Sequence, residues 1–179
     1  MLAVVVVGAI SIRGGVDLRA RRTETARVFD EGANGDGLGI RYDLDTQVAV
    51  THNLMTVAKR YLPENDDGIL AVDEARERLL MAKDMRGMYE DSVSLLQCAD
   101  ALLSRLSDVE VSEQDARYLR GFTTDLHSTE VTMAADVYNE AAAVYNKLLE
   151  GFPGRMIAFV NQIEPAAFFG LAESSYERK

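Results

Sequence analysis

The chain has 179 residues, 47% of them apolar and 27% charged, a globular composition able to build a core without disulfide or metal staples. A net charge of −10 repels phosphate backbones, so nucleic acid is not an expected partner. A single cysteine, Cys98, excludes an internal disulfide, and no Cys/His spacing suits zinc.

The chain opens "MLAVVVVGAISIRGG", and residues 2 to 12 are apolar apart from Ser11. As a helix this run spans about 16 Å, against a hydrocarbon core of roughly 30 Å. No Lys or Arg precedes it, so it lacks the basic start of a secretory signal. Three readings stand: the back half of a membrane helix whose start is missing, a short anchor lying on a membrane, or a buried core segment. The abrupt end in Arg13, Gly14 and Gly15, followed by Arg19, Arg21 and Arg22, favours the first. Arginines just after a membrane segment favour the cytoplasmic side. Through residue 22 four arginines meet one acid, Asp17, so the rest of the chain carries −13. The expected organisation is an anchor over residues 1–15 and a helical domain over 16–179.

Residues 16–31 read as a charged helix, and "GANGDGLG" (32–39) as a loop. The loop fits no calcium register, because the ligand positions fall on Gly32 or Arg41. Helical spacing returns over 40–62 with Ile40, Leu44, Val48, Met55, Ala58 and Leu62, until "PENDDG" breaks the chain. From Ile69 an apolar stripe runs through Val72, Ala75, Leu79, Ala82, Tyr89, Val93, Leu96, Ala99 and Leu103 to Leu106. Such a stripe predicts one helix of about 55 Å, with Gly87 inside it. After "SDVEVS", Ser112 and Asp115 resemble a capping box. A second long stripe then joins Ala116, Leu119, Phe122, Leu126, Met133, Val137, Ala141, Val144 and Leu148, up to Gly151-Phe152-Pro153. A short helix is expected within 154–163, then a tail that turns polar. The fold class is therefore all-α: an elongated antiparallel three- or four-helix bundle with two very long helices and a short C-terminal one.

Catalytic and metal signals are sparse. His127 and Glu130 share a helix face, but a di-iron bundle needs the opposite order, twice, and His52 has Ala49 three residues before it. A soluble bundle holding a metal or small ligand through His52, His127 and Glu130 is the alternative reading; a non-enzymatic protein without a cofactor is the preferred one. Met81, Met85 and Met88 are spaced for core packing or for a partner-binding stripe. Cys98, in an apolar helical run, is expected to be a buried thiol.

One repeat remains. "VYNEAAAVYN" carries Tyr138-Asn139 and, seven residues on, Tyr145-Asn146. If Val137, Ala141, Val144 and Leu148 are the buried stripe, each Tyr lies at the core's edge. Asn139 and Asn146, poor helix formers, then hydrogen-bond a neighbouring element, either the Ile40 helix or the segment after Pro153.

Together with Thr129-Glu130, Phe152-Pro153 and Phe168-Phe169, this repeat resembles the signature of the LemA family. "HNLMTVAKRY" resembles a second family segment through Asn53, Leu54, Val57, Lys59 and Tyr61. Departures mark a divergent branch: His52, Gln47 and Ala49 stand where the family usually has Pro, Arg and Asp, and the glycine-rich insert is atypical. The resemblance implies a single-pass anchor in the cell membrane, a cytoplasmic helical bundle and no established enzymatic activity. It also implies association with membrane organisation and with neighbouring membrane proteases. The residues it marks for motif or interaction roles are Asn53, Tyr61, Glu130, Tyr138, Asn139, Tyr145, Asn146, Phe152 and Pro153.

Overall fold

The computed structural model describes residues 2–170, with side chains from Arg13 onward. The apolar run assigned to an anchor lies outside the described side chains, as does the polar tail from residue 171. Seven helices lie among the described residues: α1 (Leu2–Glu31), α2 (Ile40–Ala58), α3 (Asp67–Met81), α4 (Met85–Ser107), α5 (Glu113–Ala135), α6 (Tyr138–Glu150) and α7 (Gly154–Asn161). None of them is long and apolar enough to cross a membrane. The all-α class is as expected. Helix α1, however, begins well before residue 16, and both very long helices are interrupted.

The interruptions have local causes. Ala82 and Asp84 are extended, and the Asp84 carboxylate accepts the Gly87 N–H at 2.9 Å, capping a new helix instead of prolonging α3. Asp136 is likewise extended (ψ 141°) and ends α5. After each break the buried stripe departs from the extrapolated one, falling one residue earlier at most positions of α4 and one residue later on α6. The stripe of α3 (Ile69, Val72, Ala75, Leu79) is as predicted, but α4 buries Met88, Ser92, Leu95, Ala99, Leu102 and Leu106. On α6 the buried residues are Tyr138, Ala142, Tyr145 and Leu149, whereas Val137, Val144 and Leu148 are exposed. Met81 is exposed, Met85 half-buried and Met88 buried, so core packing claims only the last. Cys98 is half-buried rather than buried.

The chain divides into two units, Ile40–Asp136 and the pair Met1–Gly39 with Val137–Lys179. The first is a four-helix unit of α2 to α5. Helices α3 and α4 form an antiparallel hairpin, tied near its turn by Arg78 with Asp91 and Ser94 and at its open end by Arg105 with Asp66. Helices α2 and α5 are antiparallel too: Asp43 meets Thr132 at one end and Arg60 meets Asp115 at the other. In the second unit α1, α6 and α7 surround a core of Leu18, Tyr145, Leu149, Ile157, Ala158 and Ile163. The loop at 32–39 follows α1 as expected, with Gly32, Gly35 and Gly37 at positive φ.

Candidate functional site

The repeated pair on α6 is a clamp. After α7, residues 163–168 form no regular secondary structure and run alongside α6. Asn146 donates its Nδ2–H to the Ala166 carbonyl (2.9 Å) and accepts the Ala166 N–H on Oδ1 (2.7 Å). Asn139 treats Phe169 in the same way, at 2.8 and 2.9 Å. Each carboxamide thus pairs both polar groups of one residue, as a neighbouring β-strand would. Tyr138 donates its hydroxyl to the Ala167 carbonyl at 2.7 Å, and Tyr145 reaches the Glu164 carbonyl at 3.5 Å.

Spacing explains the repeat. Seven helical residues advance about 10.5 Å. Three extended residues advance about 10 Å. One heptad on α6 therefore matches one tripeptide step of the strand-like segment, running the other way: Asn146 with 166, Asn139 with 169, Tyr145 with 164, Tyr138 with 167. The tyrosine rings fill the core beneath, each only 2% exposed. Phe29 stands edge-on to Tyr138 at 5.2 Å and tilted against Phe169 at 5.8 Å. Burial pushes both phenols above their ordinary range. The expectation of hydrogen bonds from the two Asn to the segment after Pro153 agrees with the structure. The expectation that the Tyr sit at the edge does not, because the stripe runs through them.

The remaining motif residues are dispersed. Asn53 and Glu130 are exposed. Tyr61 donates to Asp115 at 2.5 Å and accepts the Ser112 N–H, while Arg60 reaches the same carboxylate at 2.7 Å; the group caps the start of α5. The Tyr61 hydroxyl is the chief reason the Asp115 carboxyl is held below its usual range, against the effect of burial. Phe152 is 86% exposed, ahead of a cis bond to Pro153. His52 is exposed, and His127 faces Asp100 at 3.4 Å. Among the described residues no three His, Cys, Asp or Glu side chains gather where they could hold a metal ion, so His52, His127 and Glu130 form no such centre.

Sequence reasoning missed a buried polar chain in the four-helix unit. Gln47, fully buried, donates to Thr129 (3.0 Å) and accepts from Ser92 (2.8 Å), linking α2, α4 and α5. Its signal was legible: Ile40, Leu44, Gln47, Thr51, Leu54 and Ala58 share one helix face, on which Gln47 and Thr51 are polar exceptions. Every partner is satisfied, so the chain fixes register rather than offering a reactive group. An open groove of about 260 Å³ between α4 and α5 is lined mainly by Leu103, Leu106, Val109, Val111 and Leu119, with Arg120 at its side.

Among protein families, the one described as the LemA family matches residues 38–179. No curated protein and no solved structure matches the chain.

Proposed function

The chain belongs to the LemA family, and from this we propose that it is a non-enzymatic scaffold or interaction protein attached to the cell membrane, with its helical units on the cytoplasmic side. One observation carries the scaffold reading. The Tyr and Asn side chains of the family motif are engaged with the chain's own backbone, each Asn by two hydrogen bonds. They stabilise a shape instead of presenting reactive groups.

Support for membrane attachment comes from α1. The apolar run of residues 2–12 and the arginines from Arg13 to Arg22 lie on one unbroken helix that leads into the core at Leu18. Arginines placed directly after an apolar run favour the cytoplasmic side for the helices C-terminal to them. Partners would then be other membrane proteins, membrane proteases among them, and no cofactor is needed.

Fractionation of cells making the native protein tests the attachment. The protein is expected in the membrane fraction, released by detergent but not by high salt. Recovery in the soluble fraction without detergent refutes it.

A further inference from the structure

Helix α7 carries two faces. Ile157 and Ala158 point into the core, while Met156, Phe159 and Val160 are 58%, 86% and 64% exposed. The last three are spaced i, i+3, i+4 and so form one continuous apolar face. Phe152, 86% exposed in the preceding turn, adds to the apolar surface of this segment. Concentrated apolar exposure of this kind marks a contact surface.

Its position indicates what it contacts. Helix α7 lies against α1 at Gly14 and Gly15, the residues just past the apolar run. A Cβ on Gly14 would come within 2.6 Å of Ile157 Cδ1, and one on Gly15 within 2.5 Å of Asn161 Oδ1. Arg19 donates to the Asn161 carbonyl at 3.1 Å. A methyl at either glycine would make the Ile157 or Asn161 side chain shift. The apolar run ends at Ile12, so the contacts of α7 with α1, from Gly14 to Arg19, lie about 3–10 Å further along the helix axis. A helix at that level lies at headgroup depth when the run is in lipid. Charge agrees: over residues 13–19 and 154–161 the exposed Arg13, Arg19 and Arg155 outnumber the exposed Asp17, and α7 bears no acid, although the whole chain is at −10.

We propose that the outer face of α7 (Met156, Phe159 and Val160, with Phe152) is a second membrane contact that lies in the interface of an anionic bilayer beside the start of α1. This rests on the membrane attachment proposed above. The contact turns a single tether into a two-point seat and fixes which side of the unit faces the lipid.

The chain contains no tryptophan, so Phe159→Trp in the full-length protein gives one emission signal from this face. The protein is mixed with vesicles of phosphatidylcholine with and without phosphatidylglycerol, and flotation is measured beside emission and quenching by lipids brominated near the headgroup. Flotation with a blue shift and quenching, both greater on the anionic vesicles, is expected. Flotation with unshifted, unquenched emission overturns the α7 contact and leaves the attachment standing. Failure to float overturns both. A blue shift without vesicles that grows with protein concentration assigns the face to a second copy and overturns the lipid contact.

Discussion

At the residue scale the clamp depends on two carboxamides, each serving as donor and acceptor. Asn146→Ala leaves the Ala166 N–H and C=O without those partners, a cost of about 1–3 kcal/mol. In a chain of this size that lowers the melting temperature by roughly 2–4 °C per kcal/mol. Asn146→Asp is expected to be at least as damaging, since it keeps the acceptor but sets an anion against the Ala166 carbonyl. Asn53→Ala, at an exposed motif residue, stays within about 0.5 kcal/mol, and thermal melts of the three variants check the order. Two buried carboxyls respond oppositely to pH. Asp115 is held below its ordinary value, so its contribution is complete above about pH 4 and is lost as pH falls through the lowered value. Asp43 is raised, chiefly by burial and also by Asp136, with the Thr132 hydrogen bond opposing. Its folded form holds the proton more tightly than the unfolded chain, so stability declines as pH climbs from the ordinary value through the raised one. Asp43→Asn retains an acceptor for Thr132 and removes the charge. Melts are expected to rise at pH 7 and to be unchanged at pH 3; a loss at pH 7 would contradict this account.

At the element scale the existence of the helices was legible and their continuity was not. Steps of three and four located the helical stretches of α2 to α6, and glycine and proline positions located the loop at 32–39 and the short helix after Pro153. A stripe extrapolated across residues 82–84 or 136–137 keeps its apparent period while the real helix restarts in a new phase. The apolar stripe does not carry the local signal that breaks the helix, which at Asp84 is its own carboxylate accepting the Gly87 N–H. The clamp was half legible for the same reason: the repeat was plain, but its phase depended on the break before it. Glycines separate local from packing effects. Gly121, inside α5, has nothing within 4 Å of an added Cβ, so Gly121→Ala should stabilise by about 1 kcal/mol through helix propensity. At Gly154 the same methyl would sit 1.8 Å from the Leu148 carbonyl oxygen, which is backbone and cannot swing aside. Gly154→Ala is expected to cost more than about 2 kcal/mol, because the turn from α6 into α7 must rearrange. Denaturant titration of the two variants should show midpoints moving in opposite directions.

At the scale of the whole molecule, the two units differ in how the chain builds them. One is assembled from both ends of the sequence, α1 with α6, α7 and the clamped segment, and needs distant residues to meet. The other, Ile40–Asp136, is a single continuous stretch with its own core of Ile40, Leu54, Ile69, Val72, Leu95, Leu102 and Leu126. Its helices are joined by short connectors and capped locally: Asp66 and Asp84 cap α3 and α4, and Ser112 caps α5. Gln47, Ser92 and Thr129 fix its register from within. The Gln47, Arg78, Arg105 and Asp115 interactions described above begin and end inside it, so a chain of residues 40–136 is expected to be helical and to melt cooperatively on its own. Gln47→Leu in that fragment removes the partner of both Ser92 and Thr129 while leaving helix propensity nearly unchanged. The expected result is retained helicity with a broader, lower transition, because apolar packing persists but the polar register is gone. Circular dichroism melts of the fragment and its variant decide this. A fragment without cooperative melting would mean that the core of α2 to α5 does not suffice to fold it alone.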